Sequence, residues 1–151
     1  MDDETRFWIG QQVADKKNTS DIQRLSQKGK EVAGKRPNVL ISDGAPNFHD
    51  AYQKEFWTLK NPRTKRVQYI RFQGDSHNNN KMERINGEIR DIDKVMRGLK
   101  TPDTKILTSY QIFHNYIRQH EGLNGKTLAE ASGISIEGKN KWKTTIENIS
   151  L

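Results

Sequence analysis

Apolar positions change their spacing several times along the chain, and each change marks an element. Residues 6–14, RFWIGQQVA, place Phe7, Ile9 and Val13 on one side of an extended strand, a set that Gln11 interrupts. The preceding Asp2, Asp3, Glu4 and Thr5 predict a polar hairpin turn. Ser20 and Gln23 stand at capping-box spacing, and Ile22, Leu25 and Val32 then predict a weakly amphipathic helix that ends near Gly34. Val39, Leu40 and Ile41 form a short continuous apolar run, the pattern of a strand buried on both faces. Gly44 turns the chain, and Pro46 suits the first position of a helix carrying Phe48, Tyr52 and Phe56. NPRTKR then predicts a basic loop, VQYIRF an alternating strand, and GDSHNNN a polar loop.

The strongest periodicity follows. Met82, Ile85, Ile89, Ile92, Met96 and Leu99 recur at three-four spacing, so one face of a long helix should pack on a core. Thr101 and Pro102 should start the next helix, with Ile106, Tyr110, Phe113 and Ile117 on its apolar side. GLNGKTLAEASGI predicts a turn and a short helix. Residues 137–151 are a polar C-terminal tail apart from Trp142 and Ile146, which leaves residues 1–136 as the domain. Strand, helix, strand, helix, strand and then helices is the order of an α/β layer fold.

Composition narrows the picture. A chain of 151 residues suffices for one core, and a hydrophobic share of 32% leaves much of it facing solvent or a polar partner. Lys and Arg outnumber Asp and Glu by 26 to 19, a net charge of +7 that favours a polyanion such as nucleic acid. With no cysteine, disulfides, zinc-thiolate sites and thiol nucleophiles are excluded. No apolar run has the length of a membrane span or of a signal peptide, so a cytoplasmic, nucleoid-associated protein without membrane contact is expected. His49, His77, His114 and His120 lack ligand spacing and are expected at the surface or in packing. Trp8, Trp57 and Trp142 are expected in a core or a lid.

Two carboxylates carry the candidate chemistry. Asp43 follows the NVLIS run, at the carboxyl end of a strand, where functional groups of open α/β sheets gather. Read structurally, it is a capping Asp before Gly44 and Pro46. Glu83 opens the long helix and is followed along one stripe by Asn86, Gly87, Arg90, Lys94 and Arg97, expected beside the apolar stripe at the boundary between core and solvent. An acid there reaches a metal at the sheet edge while the cations beyond it neutralise phosphates. The plain alternative is a solvated face with ion pairs along the helix. Mg²⁺ prefers carboxylate oxygens and keeps several waters. Two bare carboxylates about 4 Å apart repel by on the order of 4 kcal/mol at an effective dielectric of 20, and a divalent ion relieves that repulsion.

The segments ISDGAPNF, NNNKMERINGEIRD, KVMRGLK, HNYIRQHEGLNGKTLAEASGI and the opening DDETRFW, taken in order, resemble the DDE transposases of bacterial and archaeal insertion sequences. These are relatives of retroviral integrases, and the resemblance runs through nearly the whole chain. It implies an RNase H-like (integrase-type) catalytic core with C-terminal helices. Asp43 would be the second acid and Glu83 the third, both ligands of Mg²⁺ or Mn²⁺ in a two-metal site. DNA, as transposon ends and target, would meet Asn86, Arg90, Lys94 and Arg97. The implied activity is metal-dependent DNA cleavage and strand transfer with no covalent enzyme–DNA intermediate, by a homo-oligomer or together with full-length transposase.

The departures shape that expectation. The family's first acid lies on a central first strand, and Met1 falls where the end of the second strand would be. The core is therefore expected to lack its first strand and part of its second, and the chain to be inactive alone. Asp2 and Asp3 are poor substitutes, because only one strand separates them from the helix where the fold needs two, and turn acids are usually solvated. Gln119 and Leu128 stand where the family usually has proline, and the upstream helix-turn-helix is also missing. Without its first strand, the run at Val39–Ile41 would leave an apolar edge open. Alternatives are a non-catalytic remnant that binds DNA or transposase, or a decayed reading frame whose product does not fold.

Overall fold

The computed structural model describes residues 1–14, 16, 18–68, 80–97, 105–138 and 140–149. They divide into two compact units, Ile9–Asp103 and Met1–Trp8 with Thr104–Leu151. The architecture is mixed α/β, dominated by helices, with a parallel sheet of two strands among the described residues.

In the Ile9–Asp103 unit, helix α1 spans Thr19–Ala33 and ends at Gly34, whose φ of 63° lets its N–H close on Glu31. The helix starts at Asn18, one residue before Thr19, so Ser20 already lies in the first turn and the Ser20–Gln23 capping box does not form. Gln23 instead donates to Glu55 at 2.7 Å. Strand β1, Val39–Ser42, pairs in parallel with strand β2, Lys65–Gln68, so that Val39 faces Lys65 and Ser42 faces Gln68. Paired with β2 alone among the described residues, β1 is not enclosed on both faces. Val39 stays 40% exposed, Leu40 and Ile41 are half-buried, and only Ser42 is fully buried. Strand β2 starts two residues before the expected VQYIRF run, whose remainder lies outside the described residues, as do the loop before Asn80 and His77.

Helix α2, Pro46–Glu55, begins at the expected proline and packs against α1 through buried Ala51 and Phe56 and through a polar cluster. Glu55, itself buried, accepts from Gln23 and Gln27 at 2.7 Å each and from Lys30 at 2.5 Å. The Lys30 ammonium also lies 5.6 Å from the centre of the Phe56 ring. The lysine hydrogen bond leads in holding the Glu55 carboxyl below its ordinary value, against the opposing effect of burial. Tyr52 donates to the Thr64 carbonyl and Thr64 to the Pro37 carbonyl, which ties the starts of both strands to α2. Helix α3, Asn80–Met96, is the expected long helix. Ile85 is buried and Met82, Ile89 and Ile92 are half-buried, while Met96 at 61% exposure has left the packed face; Leu99 lies outside the described residues.

In the other unit, the opening turn forms as expected: Asp2 Oδ2 accepts from the Thr5 amide at 2.7 Å and its hydroxyl at 2.6 Å. The strand expected over 6–14 does not form. Phe7 and Trp8 are both buried, which strict alternation forbids, and the Trp8 backbone finds side chains where a ladder would be. Its N–H donates to Asn115 Oδ1 at 2.9 Å, and its carbonyl accepts from Asn115 Nδ2 and Gln111 Nε2.

Helix α4, Lys105–Ile112, runs into a single π turn, Phe113–Ile117, closed by the Arg118 N–H on the Phe113 carbonyl. The wider turn rotates the face. Leu107, His114 and Asn115 are buried, while Phe113, expected on the apolar side, is 37% exposed. The start expected at Thr101 and Pro102 lies outside the described residues. A 3₁₀ turn at Glu121–Leu123 leads to helix α5, Leu128–Ala131, capped reciprocally by Thr127 and Glu130, with Leu128 fully buried at its first position. The segment expected as a polar tail carries helix α6, Lys141–Ile149. No described helix is long and apolar enough to cross a membrane.

Candidate metal and nucleic-acid site

Asp43 follows the buried Ser42 as β1 ends, and it is exposed. Its Oδ1 accepts from the Ala45 N–H at 3.2 Å, which folds the turn that delivers Pro46 to the start of α2. Asp43 is thus a turn residue and not the helix cap, which is Ala45, without a side-chain hydrogen bond. The parallel register sets Ser42 against Gln68, so the carboxyl end of β1 lies beside Gln68. Gly44 admits the Gln68 side chain, whose Nε2 lies 2.6 Å from where a Cβ would stand. Ser42 Oγ, buried beside this turn, makes no hydrogen bond among the described residues.

Glu83 lies in the first turn of α3, where a carboxylate meets the positive end of the helix dipole. It is exposed, as are Asn86, Arg90, Lys94 and Arg97. At 3.6 residues per turn this stripe is centred about 120° from the line through Met82, Ile85, Ile89 and Ile92. It therefore faces solvent outright and does not sit at the core boundary. Lys94 bridges Asp91 at 3.0 Å with both side chains 76% exposed, a contact that contributes little and yields readily to a phosphate. Arg97 closes the helix in a left-handed conformation, φ 51°, its N–H on the Asp93 carbonyl at 2.7 Å.

Asp43 and Glu83 thus stand on different elements of one unit, and the four polar and basic residues share one side of α3. Among the described residues no group of three potential metal ligands converges. The donor chemistry nonetheless suits Mg²⁺, since an exposed carboxylate at the strand end and another at the helix head are hard oxygen donors. The sequence reasoning missed a neighbouring pair in the same unit, Arg66 of β2 and His49 of α2, 3.3 Å apart. The alternation of Arg66 and Gln68 along β2 was the available signal.

Charge is divided unequally. Residues 9–103 hold 19 basic and 12 acidic residues, the full +7, while residues 1–8 with 104–151 hold seven of each. The neutral unit has an open depression of about 500 Å³ lined by Gln119, Lys126, Glu130 and Lys141. Its carboxylate is already engaged by Lys141 at 2.7 Å and by Thr127. Elsewhere in this unit the His114 ring packs against Trp8 and Tyr110, with the His120 ring centre 5.5 Å away. Asp2 is likewise committed to its turn. Comparison of the chain with protein-family models, with curated proteins and with solved structures gave no match.

Proposed function

We propose that this chain is part of the RNase H-like catalytic domain of a DDE transposase, acting on DNA through Asp43 and Glu83 with Mg²⁺ or Mn²⁺. The observation that carries the reading is an exposed carboxylate at the end of a parallel strand in the same unit as an exposed carboxylate heading a long helix. That helix continues in solvent-facing cations, and the unit carries the whole net charge. Bound there, the metal would supply an activated water or 3′-hydroxyl and stabilise the leaving oxygen. The chain's own part is to offer Asp43 and Glu83 as ligands and to hold the phosphates along Asn86, Arg90, Lys94 and Arg97. With two acids where the chemistry uses three, the chain alone binds DNA and metal but does not join strands.

The test has separable arms. DNA binding by the folded protein should weaken steeply with salt, and Arg90→Ala/Lys94→Ala/Arg97→Ala should lower the log–log salt slope by about 2.7 on duplex DNA. Mn²⁺ binding, measured by titration calorimetry, should fall at least about tenfold in Asp43→Asn and in Glu83→Gln. Salt-insensitive or absent DNA binding would sink the reading. Strand transfer on a pre-cut transposon end by the wild type, lost in Glu83→Gln, would overturn the proposal that this chain alone does not join strands. The charge partition also favours a second reading, a non-catalytic remnant that binds DNA or transposase. Under that reading DNA binding keeps its salt slope and Mn²⁺ affinity is indifferent to both acid substitutions.

A further inference from the structure

The geometry points to helix α6 as an interface between two copies of this chain, paired antiparallel across a two-fold axis. One side of α6 is fixed inward. Thr145 is 8% exposed and donates to the Lys141 carbonyl, and Lys141 itself bridges Glu130 at 2.7 Å. The outer side is apolar: Trp142 is 42% exposed, and Ile146, one turn on, is 60% exposed. The Phe113 ring stacks on Trp142 with centres 6.4 Å apart and planes 14° apart, which extends the strip and holds the indole in place. A rigid aromatic strip on an anchored helix is the kind of surface that buries area with little loss of side-chain freedom.

Charge selects the occupant. Lys143 and Glu147 flank the strip on one edge, one turn apart and 3.8 Å from each other, 73% and 62% exposed. In an antiparallel helix pair related by a two-fold axis, each edge meets the same edge of the other copy. Lys143 then stands opposite the partner's Glu147, and Glu147 opposite the partner's Lys143, so the edge is complementary to itself. A nucleic acid finds little to hold here, because this unit carries seven acidic and seven basic residues. A second copy finds no net repulsion, whereas the unit with +7 would resist meeting its like. One helix of nine residues and a single added ring fall short of the area of standard interfaces, so the dimer is weak and depends on concentration.

Sedimentation equilibrium from micromolar to millimolar protein tests the assignment, and its readout is independent of DNA and of metal. The wild type should pass from monomer to dimer across that range. Lys143→Glu places like charges at two symmetric contacts and should weaken dimerisation about tenfold. The double charge swap Lys143→Glu/Glu147→Lys should restore it to within about threefold of wild type, since symmetry returns opposite charges to both contacts. Trp142→Ala should abolish it. The charge variants alter exposed positions and keep the test valid if Trp142→Ala disturbs folding. A monomer at every concentration, a higher oligomer, or a double swap as weak as the single change overturns the proposal.

Discussion

Glu130 shows how a half-buried side chain can be held by several weak contacts at once. The Lys141 ammonium is the largest influence, the Thr127 amide and hydroxyl add to it, and burial opposes them; the carboxyl is drawn from 4.5 down to about 2. A depressed carboxyl contributes stability above its unfolded value and loses it as pH falls through the folded value. The contribution is thus whole near neutrality, declines below about pH 4.5 and is gone near pH 2. Discounted for partial exposure it amounts to roughly 1–2 kcal/mol. Thermal melts of wild type and Glu130→Gln should differ by that amount at pH 7 and converge toward pH 2.5.

Asn115 makes a sharper residue-scale case, because it is 2% exposed and answers both the donor and the acceptor of Trp8. Asn115→Ala leaves the Trp8 N–H buried without that acceptor and should cost about 2–3 kcal/mol in urea denaturation. Asn115→Asp keeps the acceptor for the Trp8 N–H but loses the donor and buries a carboxylate against the Trp8 carbonyl, so at pH 7 it should cost at least as much. None of this was legible from spacing. The run around Phe7 and Ile9 has the look of a strand, but pairing depends on a neighbour that a local pattern cannot supply. Capping gives the same lesson, since Ser20–Gln23 and Thr127–Glu130 share one spacing and only the second sits across a helix start.

Elements, by contrast, were largely legible where punctuation and period agreed. Gly34 and Pro46 mark real ends, and α3 runs where its apolar repeat places it. The face of the α4 segment was misjudged because one π turn advances the phase within an unbroken helical path. Also invisible was what joins α1 to α2. Glu55 gathers Gln23, Gln27 and Lys30, three positions on successive turns of α1, so the helices are fastened by one carboxylate. Glu55→Ala should destabilise the protein by about 2 kcal/mol, chiefly through donors left without their acceptor. Hydrogen exchange should then quicken in α1 before it does in β1, and equal quickening everywhere would contradict a local fastening.

At the scale of the whole molecule, charge is the organising fact, and only its total could be read at a glance. The division into a unit at +7 and a neutral one needs the fold, because the neutral unit draws on both ends of the chain. It predicts where the proposed DNA binding would reside. Lys105→Ala and Lys126→Ala, in the neutral unit, should leave the salt slope unchanged, while Arg90→Ala or Lys94→Ala should each reduce it by about 0.9. The candidate acids were legible at this scale too, as a strand end and a helix head. Their surroundings were not, because Gln68 over Gly44 and Arg66 beside His49 arise from strand register.

The grip of Asn115 on Trp8 spans 107 positions of chain. A ribosome makes the tryptophan early and the asparagine late, so α1, α2 and the first strand emerge while Phe7 and Trp8 still lack their burial site. Nascent chains stalled before Asn115 therefore carry two bare aromatic side chains, a natural landing point for chaperones. Residues 1–8 thus wait for more than a hundred later residues before they can settle.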